Sequence, residues 1–297
     1  MPNWRVLLED RIKAPIGEEF YVGGAGASDA KSGRIALEPF LKIATALEHC
    51  KSGRHDVIHV QDYWDNDDFP IVLNKQCVHI LGSSTRALSS QWPIMNAGAN
   101  PCFQIGGAGG DYCEIAGLSM ITDATHPCIE VVGTNCRIHL HHLALGEHGV
   151  ARDGILVPTV VGQDLNWSTV EHCIFGQFLA RDGIKAFAAS WTDIRDNIFV
   201  QYGGIGVNIT GPVDVKLGQL IRNRFYRGSA AIGAAAGWAI TIEDASEGMI
   251  DDNRAMESGV APQNNPYKDA STGVPGTTKN GWGVNWSGGL TVMPDVS

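Results

Sequence analysis

The chain has 297 residues, 44% of them hydrophobic, which is enough for a large core and excludes a disordered polypeptide. Its formal net charge of −10 excludes the basic stripe that a nucleic-acid partner requires. No run approaches the roughly 18 apolar residues of a membrane-crossing helix, and Glu9, Asp10 and Arg11 interrupt any secretory leader, so neither membrane nor export is expected.

In chain order, GGAGAS at 23–28 lacks the residues of a phosphate- or dinucleotide-binding loop and reads as a turn; no cofactor is expected. PFLKIATALEHC at 39–50 places Phe40, Ile43, Ala44 and Leu47 at helical spacing behind Pro39. That predicts a short helix covering the open end of whatever follows. DNDD at 65–68 offers Asp65, Asp67 and Asp68 to a hard cation but reads better as a solvated loop. Cys77, Cys113 and Cys136 each open a strand and are expected to stack as small inner-face thiols. The seven Cys are an odd number without a CxxC pair, which points to free thiols made in a reducing cytosol.

From residue 127 the text repeats. PCIEVVGTNCRIHLHHLALG, GILVPTVVGQDLNWSTVEHCIFGQ, GIKAFAASWTDIRDNIFVQYGG, IGVNITGPVDVKLGQLIRNRFYRG and WAITIEDASEGMIDDNRAMESG share a short β-branched run, a kink and a second short strand. Repeats of this length without intervening helices predict a β-solenoid. His142, Cys173, Asn197, Asn223 and Asn253 are read as corresponding positions, with Asn197, Asn223 and Asn253 forming a structural ladder of side-chain amides. ARDGI occurs at 151–155 and again at 180–184, which predicts Arg152 over Arg181 and Asp153 over Asp182, about 5 Å apart by strand spacing. Three regions follow: a segment with its capping helix at 1–56, the solenoid at 57–259, and an irregular tail at 260–297.

FYVGGAGASD, a helix beginning PF, and PIVLNKQCVHILG together resemble the opening of pectate-lyase-like right-handed parallel β-helix proteins. The resemblance implies an all-β right-handed parallel β-helix with a short N-terminal capping helix. It implies no single activity, because that superfamily holds polysaccharide lyases, glycoside hydrolases, epimerases and bacteriophage tailspikes.

Candidate residues divide by chemistry. Asp153 and Asp182 could share a proton in glycosidic work, although turn hydrogen bonding is the favoured reading. GEHG resembles the Gly-His-Gly element of polygalacturonases and marks Glu147 and His148, without that family's companion elements. HLHH puts His139 and His141 on one strand face and His142 on the other, with no third metal ligand identifiable, so no metal is expected. Arg152, Arg181 and Trp191 are candidate glycan-binding groups, and Trp64, Trp92 and Trp167 also fall where rings could stack on sugars. The expectation is a virion-surface structural protein, a phage capsid-decoration or tailspike-like subunit made in the host cytoplasm. Its expected partners are two further copies in a homotrimer, virion coat or tail proteins, and a surface glycan. The alternative is a polysaccharide lyase or glycoside hydrolase acting on an acidic polysaccharide.

Overall fold

Parallel pairing between neighbouring repeats builds the molecule. Ile138–His141 pairs with Cys113–Ala116 on one side and Thr169–Glu171 on the other, and each later coil repeats the arrangement. The computed structural model describes residues 17–61, 67–82, 92–106, 110–133, 137–147, 151–158, 165–176, 179–227, 239–246, 248–257, 267–270, 280–287 and 290–292. Three sheets of ten, nine and eight strands stack along one axis, and from Val78 to Asp269 the chain visits them in the order first, second, third. Among the described residues, all strand pairings are parallel except Asn285–Ser287 with Leu290–Val292, and the isolated bridge Ser190–Leu217 is also antiparallel. The fold is a right-handed parallel β-helix.

Side chains alternate across each strand. Ile115, Leu140, Val170, Ile194, Leu220 and Ile250 of the first sheet form one inward column, all buried. In the second sheet Phe175, Phe199 and Phe225 stack with centroids 4.4 and 4.7 Å apart and rings 7° and 11° from parallel. This stack explains the glycine of the repeated ARDGI. A Cβ on Gly154 would lie 2.5 Å from the Phe175 ring, and one on Gly183 would lie 2.5 Å from the Phe199 ring.

The amide ladder runs where the first sheet turns into the second. Asn223 Oδ1 accepts from the backbone N–H of Asn197 (3.1 Å) and from its Nδ2 (3.0 Å), while Asn223 Nδ2 donates to Ile194 O at 2.9 Å. Asn253 repeats the pattern on Asn223, and Asn285 repeats it on Asn253. At the other end Asn197 Oδ1 takes the N–H of Cys173 (3.0 Å). Asparagine alone offers an acceptor and a two-hydrogen donor at this reach, so each member saturates two coils. His142 does not stand in this column. Strand register places it beside His172, one residue earlier than Cys173, and the column it does join runs through Asp196, Arg222 and Asp252. Those five residues all have φ between 49° and 57°, the left-handed bend that turns the chain between sheets.

Both expected boundaries move outward. Glu19–Val22 already pairs with Asp56–Val60 in the first sheet, so the helix interrupts the first coil instead of preceding it. Beyond residue 259, Tyr267–Asp269, Gly281–Trp282 and Asn285–Ser287 add one strand to each sheet. The tail continues the solenoid because Asn285 continues the ladder. Cys77 also differs from expectation: Val78 aligns with Cys113, so Cys77 sits on the corner beside Tyr112, and Cys136 lies outside the described residues.

Helix α1 spans Ile43–His49, shorter than 39–50, and buries Ile43, Ala46 and Leu47 against the first coil. Its ends are capped from the loops beside it. Asp67 accepts the N–H groups of Ile43 (2.8 Å) and Ala44 (3.0 Å), and Lys75 Nζ reaches the carbonyls of Leu47, Glu48 and Cys50. Asp68 pairs with Lys42 at 2.7 Å. Two of the acids in DNDD therefore hold the cap, and Asp65 lies outside the described residues. Asp56 is fully buried nearby and accepts from Glu18 N, Lys51 N and the Arg54 guanidinium.

Asn223→Ala strands buried partners on two coils and should lower stability by about 2–4 kcal/mol, at about 1–3 per unsatisfied group. Asn223→Asp, which keeps the shape but loses the donor, should also destabilise; urea titration checks both. For Asp56, burial raises the carboxyl pKa, but Arg54 and the two amides outweigh it and hold the group below its ordinary value. Its stabilisation is complete above the unfolded value of about 3.9 and disappears as pH falls through the lower folded value. Asp56→Asn should therefore be less stable at neutral pH and should flatten the acid arm of stability against pH, as denaturation at several pH values will measure.

Candidate functional site on the first sheet

The outward positions of the first sheet carry a dense set of titratable groups. Alternation sends Glu114, His139, His141, Glu171 and Arg195 to the outer face, and register brings His79, Glu114 and His139 into one row. Glu114 Oε2 lies 2.6 Å from His79 Nδ1, and its Oε1 lies 2.7 Å from His141 Nε2. His79 Nε2 faces His55 Nδ1 at 3.3 Å, and His141 Nδ1 faces His142 Nδ1 at 2.8 Å. Beside this chain, Glu171 takes His139 Nε2 and Arg195 Nε, each at 2.8 Å. The rings of His139 and His141 are 4.2 Å apart.

Electrostatics fix the charge states. Burial raises Glu114, but His141 and His79 outweigh it and hold the carboxyl well below the usual range. Burial likewise opposes ionisation of Glu171, and His139 with Arg195 reverses the balance. Burial and the neighbouring His141 lower His139, with Glu171 opposing; burial, His141 and His172 lower His142. The face thus favours ionised Glu114 and Glu171, and favours the neutral forms of His139 and His142.

An aromatic rim borders this face where the third sheet turns into the first. Tyr112, Trp167 and Trp191 occupy equivalent corner positions and are 49%, 50% and 41% exposed. Trp167 and Trp191 stack at 5.4 Å and 15°. Arg137 lies over Tyr112 at 5.1 Å and donates to its hydroxyl, and Lys216 lies over Trp191 at 5.9 Å. All three aromatics have φ between 54° and 58°, a conformation that costs a bulky side chain about 1 kcal/mol or more. On the opposite border Asp196, Arg222, Asp252 and Arg254 line a hollow of about 300 Å³, in which Arg222 pairs with Asp196 at 2.8 Å.

The acids of the repeated ARDGI stack as expected but are consumed. Asp153 and Asp182 are 0% and 6% exposed. Asp153 accepts Asp182 N (3.1 Å), Arg152 Nε (3.0 Å) and Arg181 Nη2 (2.8 Å). Asp182 accepts Ile205 N (2.8 Å) and Asn208 Nδ2 (3.1 Å). Each carboxylate binds a backbone amide of the following coil, so it ties successive coils together. Arg152 and Arg181 are committed to the same carboxylate. Glu147 follows the second-sheet strand Ala144–Leu145 with Oε2 buried, and His148 lies outside the described residues. Trp92 belongs to the interior at 7% exposure, and Trp64 lies outside the described residues.

Residue-type reasoning on HLHH misses the third ligand-type group. Glu114 supplies it from the preceding coil, and it, His139 and His141 offer atoms all within 4.8 Å of one another. The outward alternation of CEIA, IHLH and TVE, placed in register, carries that signal.

No protein-family model and no curated protein matches the chain. Among solved structures, a rhamnogalacturonan lyase is similar over 91% of this chain and 87% of its own, with 14% identity and a TM-score of 0.48. That level of likeness carries no inference about activity.

Asp153→Asn removes the charge that holds Arg152 and Arg181. It should lower stability by about 1–3 kcal/mol, discounted because both guanidiniums reach solvent. Thermal melting reads the loss.

Proposed function

We propose that the chain is a structural, glycan-binding β-helix whose first sheet and aromatic rim form the binding face. The observation that carries this reading is the exposed Trp167–Trp191 stack, with Lys216 over the Trp191 ring and Arg137 over Tyr112 elsewhere along the same rim. Indole rings offer flat apolar surface that matches the C–H faces of pyranose rings, and exposed aromatic surface of this extent in strained backbone marks a contact site. The cations along this rim favour sugars bearing carboxylates. The setting we infer is the exterior of a virion, as a decoration- or tailspike-like subunit in a homotrimer. An acidic net charge of −10 supports that setting.

A polysaccharide lyase or hydrolase is the second reading. The carboxylates and imidazoles side by side on the first sheet favour it, because acid–base work needs both kinds of group.

Titration calorimetry with an acidic oligosaccharide should give saturable binding, weakened about tenfold by Trp167→Ala with Trp191→Ala, since each ring contact is worth about 0.5–1.5 kcal/mol. Binding unchanged in that variant would remove the rim from the account. Incubation with uronic-acid polymers should release no unsaturated products detectable by ultraviolet absorbance; turnover would establish the second reading. Light scattering should return the mass of three chains.

A further inference from the structure

The geometry points to a divalent transition-metal site formed by Glu114, His139 and His141. The reading does not depend on glycan binding, because a different set of side chains carries it. Two imidazoles and a carboxylate form the donor set typical of zinc, and imidazole nitrogen disfavours calcium or magnesium. Their ligand atoms lie within 4.8 Å of one another, so small side-chain rotations bring them to the roughly 3.3 Å spacing of a tetrahedral ion with bonds near 2.1 Å.

Each ligand is oriented from behind, as metal ligands require. Glu171, held by Arg195, takes Nε2–H of His139 and leaves the lone pair on Nδ1. His79 holds Oε2 of Glu114 and leaves Oε1 turned toward His141. His142 faces Nδ1 of His141. Metal binding replaces the 2.7 Å hydrogen bond between His141 Nε2 and Glu114 Oε1. The His141 proton then resides on Nδ1, donated to His142 Nδ1, and His142 carries its own proton on Nε2, so no net charge is lost. Three protein ligands leave the fourth position to water or to an oxygen of a bound molecule, and Tyr112 of the aromatic rim stands only two residues before Glu114.

Calorimetric titration of Zn²⁺ into untagged, chelator-stripped protein at about pH 7 should give one ion per chain. Co²⁺ in its place should give the intense visible absorption of a tetrahedral ion. Glu114→Gln, which preserves shape, and His139→Ala with His141→Ala should each weaken binding at least about tenfold, the lower bound for disturbing a metal's surroundings. Trp191→Ala should bind the ion as wild type does, which separates this site from the rim. Absence of saturable binding to the wild-type chain, or undiminished affinity in the folded His139→Ala/His141→Ala variant, would overturn the proposal. Melting curves taken without metal establish that the variants are folded.

Discussion

Stacking one coil on the next leaves a bend whose backbone polar groups face inward, and the Asn197–Asn223–Asn253–Asn285 column is the interaction that makes the bend tolerable. Each amide closes hydrogen bonds within its own column and to a carbonyl on the coil before it. Buried polar groups are costly unless paired, so the column fixes the register of every strand that follows it. Phe175, Phe199 and Phe225, stacked in the same coils, add shape selectivity to that register.

Register in turn creates the site. Residues 25 apart in sequence, Glu114 and His139, become neighbours because each occupies the same outward position on successive first-sheet strands. The aromatic rim arises in the same way, from corner residues that share one backbone conformation. Asp153 and Asp182 show the opposite outcome: identical placement on successive coils, but turned inward to bind amides and guanidiniums. Whether a repeated residue supports the fold or a ligand thus depends on which side of the strand it occupies.

Much of the fold was legible because repetition survives in the text. Asn197, Asn223 and Asn253 could be aligned by eye, and the phrase ARDGI marked two adjacent third-sheet entries. The alignment slipped at His142, where two consecutive histidines made the register ambiguous by one residue. It stopped short of Asn285 because the Pro- and Gly-rich text after residue 259 masks the last coil. The face was harder to read. Its members, from His79 to Arg195, come from five coils, each contributing one or two polar residues that look like ordinary solvated positions until the strands are paired. Trp167 and Trp191 were each visible as isolated rings, but their stacking and the neighbouring cations emerge only from the paired coils.

A double-mutant cycle on Asn223→Ala and Asn253→Ala tests the central claim most directly. If the two amides are bonded members of one column, the cost of the pair should differ from the sum of the single costs by about 1 kcal/mol or more. Costs that add to within about 0.3 kcal/mol would mean that the two residues do not touch, and the coil-on-coil architecture with everything built upon it would be contradicted.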